Sequence, residues 1–211
     1  MQYVYFDFDG TLADSVLLGV EIANYLAPKF GFESADMSKI DYYRTLSAQE
    51  ILKEFKIPLF KLPIVAPAFK IELNKRLDQL LAYEGVDIML KELSLKYKVG
   101  VLTSNSVENV QKFLTKNDTI KYVSDIRSEF QVFGKHLSLR KIISKYKIDK
   151  KDFIYVGDET RDIEATKKVK ISSIAVTWGI NSEDVLRKFK PTFVAHTPAD
   201  VVSFVNSVFK K

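Results

Sequence analysis

Six short apolar runs punctuate the chain, at residues 3–8, 98–103, 122–126, 153–156, 172–176 and 192–195. They are rich in Val, Ile, Tyr and Phe, which predicts strands. Between them apolar positions recur at helical spacing, over 86–97, 107–115, 138–146, 161–169, 183–188 and 198–208. Strands alternating with amphipathic helices predict an α/β fold: a parallel, Rossmann-like sheet with helices on both faces and right-handed crossovers. In such a sheet a ligand sits at the carboxyl ends of the strands, near the switch in strand order.

Residues 14–85 break the rhythm. They carry no strand pattern; helical patterns cover 17–28, 48–55 and 67–82, and Pro58, Pro63 and Pro67 punctuate the middle. The expected organisation is an α/β core of residues 1–13 and 86–211, with a small all-α cap (14–85) inserted after the first strand. An insert that begins at the end of that strand should hang over whatever the strand tip carries.

The strand tips carry the chemistry. Residues 6–15 read Phe-Asp-Phe-Asp-Gly-Thr-Leu-Ala-Asp-Ser. Strand alternation puts residues i and i+2 on one side, so Asp7 and Asp9 can face one site, and Gly10 permits a sharp exit. Two acids, a flexible turn and a hydroxyl suit a hard cation and phosphoryl transfer. The run 99–105 ends in Thr103-Ser104-Asn105 before a helix start; hydroxyls and free helix amides make a phosphate-binding corner, although such residues are also ordinary helix caps. The run 153–156 leads into Gly157-Asp158-Glu159-Thr160-Arg161-Asp162, which offers Asp158 as a third carboxylate and Asp162 one helical turn on. So many acids need a divalent metal or a lysine to offset them. Lys135, before the strand that delivers Asp158, stands where a phosphate-neutralising cation is useful.

Composition narrows the classes. With 211 residues, 46% hydrophobic and 28% charged, the chain fits one large domain or a domain with an insert. No apolar stretch is long enough to span a membrane, and no basic-then-apolar leader precedes the first strand, so a cytoplasmic protein is expected. The absence of cysteine excludes disulfides and thiolate chemistry. The net charge of +5 is spread as lysines along helical faces, as in Lys145-Tyr146-Lys147 and Lys150-Lys151; this reads as solvated surface, with neither a nucleic acid nor a membrane as partner. A mildly basic core can still draw in anionic substrates.

Other residues read more simply. His136 and His196 fit surface, capping or structural roles. Trp178 either walls the substrate side or packs. Asp14 and Ser15 mark the start of the cap. Phe30, Phe32, Phe55, Phe60 and Phe69 read as the cap's own core. Arg44 faces water unless it reads a substrate carboxylate or second phosphate with its forked donors. A cap lysine near Asp7 would suit phosphonate hydrolysis, and Lys29, Lys39 and Lys53 lie in the right segment.

The ordered set Asp7-Phe-Asp9-Gly10-Thr11, Thr103, Lys135 and Gly157-Asp158…Asp162 resembles the haloacid dehalogenase-like hydrolase superfamily, within it the phosphoglycolate phosphatase-like enzymes with a helical cap. The resemblance covers nearly the whole chain. It implies an enzyme, a magnesium-dependent phosphatase acting on a small phosphorylated metabolite such as phosphoglycolate through an aspartyl-phosphate. It implies Asp7 as nucleophile and Asp9 as general acid/base. Mg2+ would be held by Asp7, the Asp9 carbonyl and Asp158, with Glu159 as a competing ligand. Gly10, Thr11, Thr103, Ser104, Asn105 and Lys135 would bind phosphate. Asp162, with Glu159, would act from behind by orienting Lys135 or a metal-bound water. A sugar phosphomutase of the same architecture is the alternative, and a non-catalytic regulatory or binding module a more distant one.

Overall fold

The structure, a computed structural model, describes residues 1–129 and 134–209. In chain order it forms β1 (Tyr3–Phe6), β2 (Ala13–Asp14), α1 (Val16–Phe30), α2 (Ile40–Arg44), α3 (Ala48–Glu54), α4 (Leu62–Lys75), β3 (Leu81–Ala82) and α5 (Val86–Ser94). There follow β4 (Lys98–Thr103), α6 (Val107–Lys116), β5 (Asp125–Ser128), α7 (Lys135–Tyr146), β6 (Phe153–Gly157), α8 (Thr160–Val169), β7 (Ser172–Val176), α9 (Glu183–Lys188), β8 (Phe193–Ala195) and α10 (Pro198–Phe209).

Six strands make one parallel sheet in the order β5-β4-β1-β6-β7-β8. β1 is central, with Phe6 paired to Val101 on one side and Val156 on the other. The chain first builds outward through β4 and β5, then crosses to β6 on the far side of β1. The switch in direction therefore falls at β1, and Asp7 is the first residue past its end.

Alternation divides the β1 side chains between two cores. Val4 and Phe6 join Val99, Val101, Ile154 and Val156 beneath α5 and α10, in a cluster that also takes in Leu18, Ile22 and Leu26 of α1. Tyr5 joins Tyr155, Leu139, Ile142 and Val169 beneath α7 and α8. Burial on both faces explains why these strands read as continuous apolar runs.

The segment after β1 is helical, with α1 packed along α4, and α3 opens with a capping box between Ser47 and Glu50. Two differences from the sequence reading matter. A short antiparallel pair, Ala13 with Ala82 and Asp14 with Leu81, ties the two ends of the insert together, so the segment is not strand-free; two-residue strands leave no readable alternation. The strand expected at 122–126 instead lies at Asp125–Ser128. Tyr122 and Val123 supply the apolar signal, but they pack on the core from a 3-10 turn and its exit, while the true edge strand is mostly polar. Phe60 is 77% exposed and is no part of a cap core.

Candidate active site

The loop leaving β1 is wound on one carbonyl. Phe8 O accepts the amides of Thr11, Leu12 and Ala13 at 3.3, 2.9 and 3.0 Å, and Ala13 O accepts from Gly10 N at 2.9 Å. This turn needs φ +74° at Gly10, a left-handed conformation that favours glycine. It leaves Asp7 and Asp9 at the same strand tip in unlike surroundings.

Asp7 is 2% exposed. Its Oδ1 accepts from Phe8 N at 2.8 Å, and its Oδ2 accepts from Lys135 Nζ at 2.7 Å. The same ammonium donates to Asp162 Oδ1 at 2.5 Å and lies 5.2 Å from the Tyr155 ring centre. Burial opposes the charge on Lys135, but Asp162 and Asp7 outweigh it and hold the ammonium well above its usual range. Asp162 is fixed in turn by its place in the first turn of α8, where its Oδ2 accepts from Glu159 N at 3.1 Å. Asp9 accepts from Asn105 Nδ2 at 3.2 Å. Burial, reinforced by the neighbouring Asp7, pushes its carboxyl up to about 6.

Asp158 is clasped between a hydroxyl and a backbone amide. Its Oδ1 accepts from Thr11 Oγ1 at 2.8 Å and its Oδ2 from Ile180 N at 2.7 Å. A Cβ on Gly10 would stand 2.1 Å from Asp158 Oδ2, and one on Gly179 2.3 Å from Asp158 Cβ, so both approaches depend on glycine. Asp7, Asp158 and Asp162 each present a carboxylate oxygen within 4.8 Å of the others, and all three residues are buried. Desolvation, then Glu159, Asp7 and Asp162, drive the Asp158 carboxyl well above its usual range. This surplus of negative charge fits a divalent, oxygen-seeking cation, which would relieve the repulsion.

Thr103 is fully buried at the tip of β4, and its Oγ1 accepts from Asn105 N at 3.0 Å. Asn105 Oδ1 takes Ser106 N and Asn109 Nδ2 at 2.8 and 3.0 Å, which aims the amide donor at Asp9. A cavity of about 160 Å³ opens beside Asp9, Ser104 and Asn105 and is closed from the insert by Phe69, Lys70 and Leu73 of α4. Glu129 and Arg161 complete its wall.

Of the residues singled out from sequence, Asp7, Asp9, Thr103, Ser104, Asn105, Lys135, Asp158, Glu159 and Asp162 converge on this strand edge. The polar groups of Gly10 and Thr11 are engaged with Ser15, Ala13 and Asp158. Asn105 is turned to Asp9, and Glu159 pairs with Arg161. Arg44 neither faces water nor enters the cavity: its Nη2 donates to Thr177 O at 3.0 Å, and its carbonyl accepts from Ser182 N at 2.8 Å. Trp178 packs against Tyr83 and donates to Thr11 O at 3.1 Å. Lys29, Lys39 and Lys53 are exposed and line no part of the cavity. His196 is exposed beside Glu183.

Sequence reasoning missed Glu129, Lys70, Phe69 as a cavity residue, Arg161 and Asn181. Asn181 bridges the insert to the site: its Nδ2 donates to Leu46 O at 2.7 Å, its Oδ1 accepts from Thr160 N at 3.0 Å, and its amide donates to Asp158 O at 3.3 Å. Glu129 directly follows β5, so a correct register for that strand was the signal that could have found it.

A parallel sheet whose central strand ends in two acids, with a third and fourth acid and a lysine delivered by the neighbouring strand and helices, defines an α/β enzyme with an acid-rich centre at its switch point. The model of haloacid dehalogenase-like hydrolases matches residues 4–176, and the chain belongs to this family of hydrolases. It is 31% identical over 212 residues, covering 100% of both chains, to a phosphoglycolate phosphatase of Synechococcus elongatus. It is 25% identical to the pyrophosphatase PpaX of Listeria welshimeri over 61% of each chain. In fold it resembles a crystal structure described as a predicted phosphatase from Clostridium acetobutylicum, with a TM-score of 0.82 at 20% identity over 98% of both chains. Among the described residues no helix is long and apolar enough to cross a membrane.

Proposed function

We propose that the protein is a magnesium-dependent phosphatase that hydrolyses a small, phosphoglycolate-like phosphomonoester through an aspartyl-phosphate. The observation that carries this reading is the pair of carboxyls at one strand tip in opposed environments: Asp7 tied to a buried ammonium, Asp9 pushed up to about 6. Two acids held apart in this way suit two tasks. An Asp7 oxygen attacks phosphorus and the bond to the leaving oxygen breaks. Asp9 gives its proton to that oxygen, with Asn105 fixing its orientation. Asp9 then takes a proton from the water that attacks the phosphoryl-enzyme, which regenerates Asp7 and releases phosphate. Thr103, the Ser104 amide and Lys135 hold the phosphoryl oxygens, and Asp162 keeps Lys135 in place.

The residues suited to Mg2+ are Asp7, Asp158 and the Asp9 carbonyl, with Asp162 near enough to share the site or to orient a water. Bound there, the ion would neutralise charge on the transferring group. The clasp of Gly10 and Gly179 on Asp158 supports a carboxylate held in one fixed position.

Residues 14–85 act as a cap over a core of 1–13 and 86–211. Phe69 and Lys70 at the cavity wall and the strand pair at the insert's neck support this division. Cap movement admits substrate and excludes water; amide exchange in 14–85 that is unchanged by a phosphate analogue would argue against it.

The test is phosphate release from phosphoglycolate, pyrophosphate, nucleotides and sugar phosphates, with Mg2+, with chelator and in Asp7→Asn. Metal-dependent release that disappears in Asp7→Asn is expected. Release that survives in Asp7→Asn, or no release from any ester, overturns the reading.

A further inference from the structure

The loop after β7, residues 177–182, is bonded on two sides. On one side it holds Asp158. Ile180 N donates to Asp158 Oδ2 at 2.7 Å, and Asn181 N donates to Asp158 O at 3.3 Å. Gly179 lies so close that a Cβ there would stand 2.4 Å from Asp158 Oδ2. On the other side the loop holds the insert. Thr177 O accepts from Arg44 Nη2 at 3.0 Å, Ser182 N donates to Arg44 O at 2.8 Å, and Asn181 Nδ2 donates to Leu46 O at 2.7 Å. Arg44 O and Leu46 O lie at and just past the end of α2, where a helix leaves carbonyls without partners of its own. The insert offers acceptors there and the loop supplies donors. This contact is far along the chain from the neck pair at 13–14 and 81–82, so the neck does not impose it.

Asn181 sits between the two sides. It is 3% exposed, and its side chain is divided between them. Nδ2 goes to the insert, while Oδ1 accepts from Thr160 N at 3.0 Å, in the first turn of the helix that follows Asp158. The contact also carries a cost. Among the described residues, Arg44 Nε and Ser182 Oγ are buried with no hydrogen-bond partner, at about 1–3 kcal/mol for each such group. Lifting the insert from the loop returns both to water, which offsets part of the bonds lost. The contact is therefore built to part as well as to close.

We propose that the loop 177–182 couples the seating of the insert to the orientation of the Asp158 carboxylate, with Arg44 and Asn181 as positioning residues for a divalent cation bound there. This rests on the reading of Asp158 as a ligand for Mg2+ and deepens it by naming what holds that ligand in place. With residues 44–46 docked, the amides of Ile180 and Asn181 are fixed and Asp158 keeps one orientation. With 44–46 released, the loop loses its bonds to the insert and the carboxylate loses its frame. Such coupling is reciprocal: an ion that favours the fixed carboxylate also favours the seated insert.

The test is isothermal titration of Mg2+, without substrate, into the wild-type protein and Arg44→Met. Met retains an apolar stem and removes the donor to Thr177 O. The expected Kd is weaker by about 3- to 10-fold, the size of one lost hydrogen bond. Removing a positive charge by itself strengthens cation binding, so a loss has the opposite sign from a charge effect. A second measurement needs no variant. The Ser182 amide, whose acceptor is Arg44 O, reports seating directly, and its hydrogen exchange in the wild-type protein should slow when Mg2+ is added. A Kd in Arg44→Met equal to or tighter than that of wild type overturns the coupling and leaves the phosphatase reading intact. Ser182 exchange that ignores Mg2+ while the ion binds does the same. A wild-type protein that binds no Mg2+ overturns both.

Discussion

Replacing Glu129 with Gln should make the protein more stable at alkaline pH and leave it unchanged in acid. The folded structure holds this carboxyl at about 7, raised from 4.5 chiefly by burial, with Lys135 and Arg161 pulling it down and Asp7 and Asp162 pushing it up. The native state thus binds this proton more tightly than the unfolded chain does. The group's contribution to stability is fully present below about pH 4.5 and is lost as pH rises through 7. At 1.36 kcal/mol per pKa unit, the displacement sets an upper bound of about 3 kcal/mol on the cost of ionising it in place. Water in the adjoining cavity reduces that, so a gain of about 1–3 kcal/mol is expected for Glu129→Gln at pH 8.5. In a chain of this size each kcal/mol moves Tm by roughly 2–4 °C. Thermal unfolding followed by circular dichroism in chelator, at pH 5 and pH 8.5, reads the difference directly. Every other titrating group is common to the two proteins and largely cancels. A Tm difference that is the same at both pH values, or a variant less stable than wild type at pH 8.5, would refute the reasoning.

Lys135→Met leaves Asp7 and Asp162 buried without their shared ammonium. Urea denaturation in chelator should show a loss of about 3–5 kcal/mol at pH 8, smaller at pH 5, where Asp162, pushed up to about 6 by burial, is already protonated; an equal loss at both pH values contradicts the assignment. Mg2+ at 100 times its dissociation constant should stabilise the chelator-stripped protein by about 2.7 kcal/mol at pH 8, less at pH 5.5 as the carboxyls take up protons. Asp158→Asn should abolish the gain, and a full gain in that variant excludes Asp158 as a ligand. Asn181→Ala unpairs Leu46 O and Thr160 N and should cost about 1–3 kcal/mol, with faster amide exchange around residues 44–47. Unchanged exchange there would mean that the bridge between insert and core lies elsewhere.

The parallel sheet and the acids at its edge were legible in the sequence because both follow from local pattern. Strands buried on both faces read as apolar runs, and a residue just past such a run must stand at a strand tip, as Asp7, Thr103 and Asp158 do. Lys135, one lysine among many by local pattern, was placed by the family resemblance, in which it fits the third motif. What escaped depended on contacts between distant segments. Glu129 was hidden because Tyr122 and Val123, apolar but outside the strand, drew the expected strand toward the N-terminus, by three residues at its start and two at its end. Lys70 sits on a helix with nothing in its neighbourhood to separate it from other surface lysines; only the packing of α4 over the β4 tip brings it to the cavity. Arg44 read as a water-facing arginine with ligand binding as the alternative, and its backbone and guanidinium instead join the insert to the loop at Thr177 and Ser182.

The paired strands at the insert's neck have a consequence for how such a chain can change. Ala13 against Ala82 and Asp14 against Leu81 bring the outgoing and returning chain side by side, so the chain leaves and re-enters the core at adjacent rungs whatever lies between them. Mechanically this is a graft union. The entropic cost of closing a longer or shorter excursion changes only logarithmically with its length, and the register of β1 against its neighbours does not sense the exchange. On the division proposed above, a new scion between these rungs would alter what is admitted, while the rootstock keeps Asp7 and Asp9 at the tip of β1.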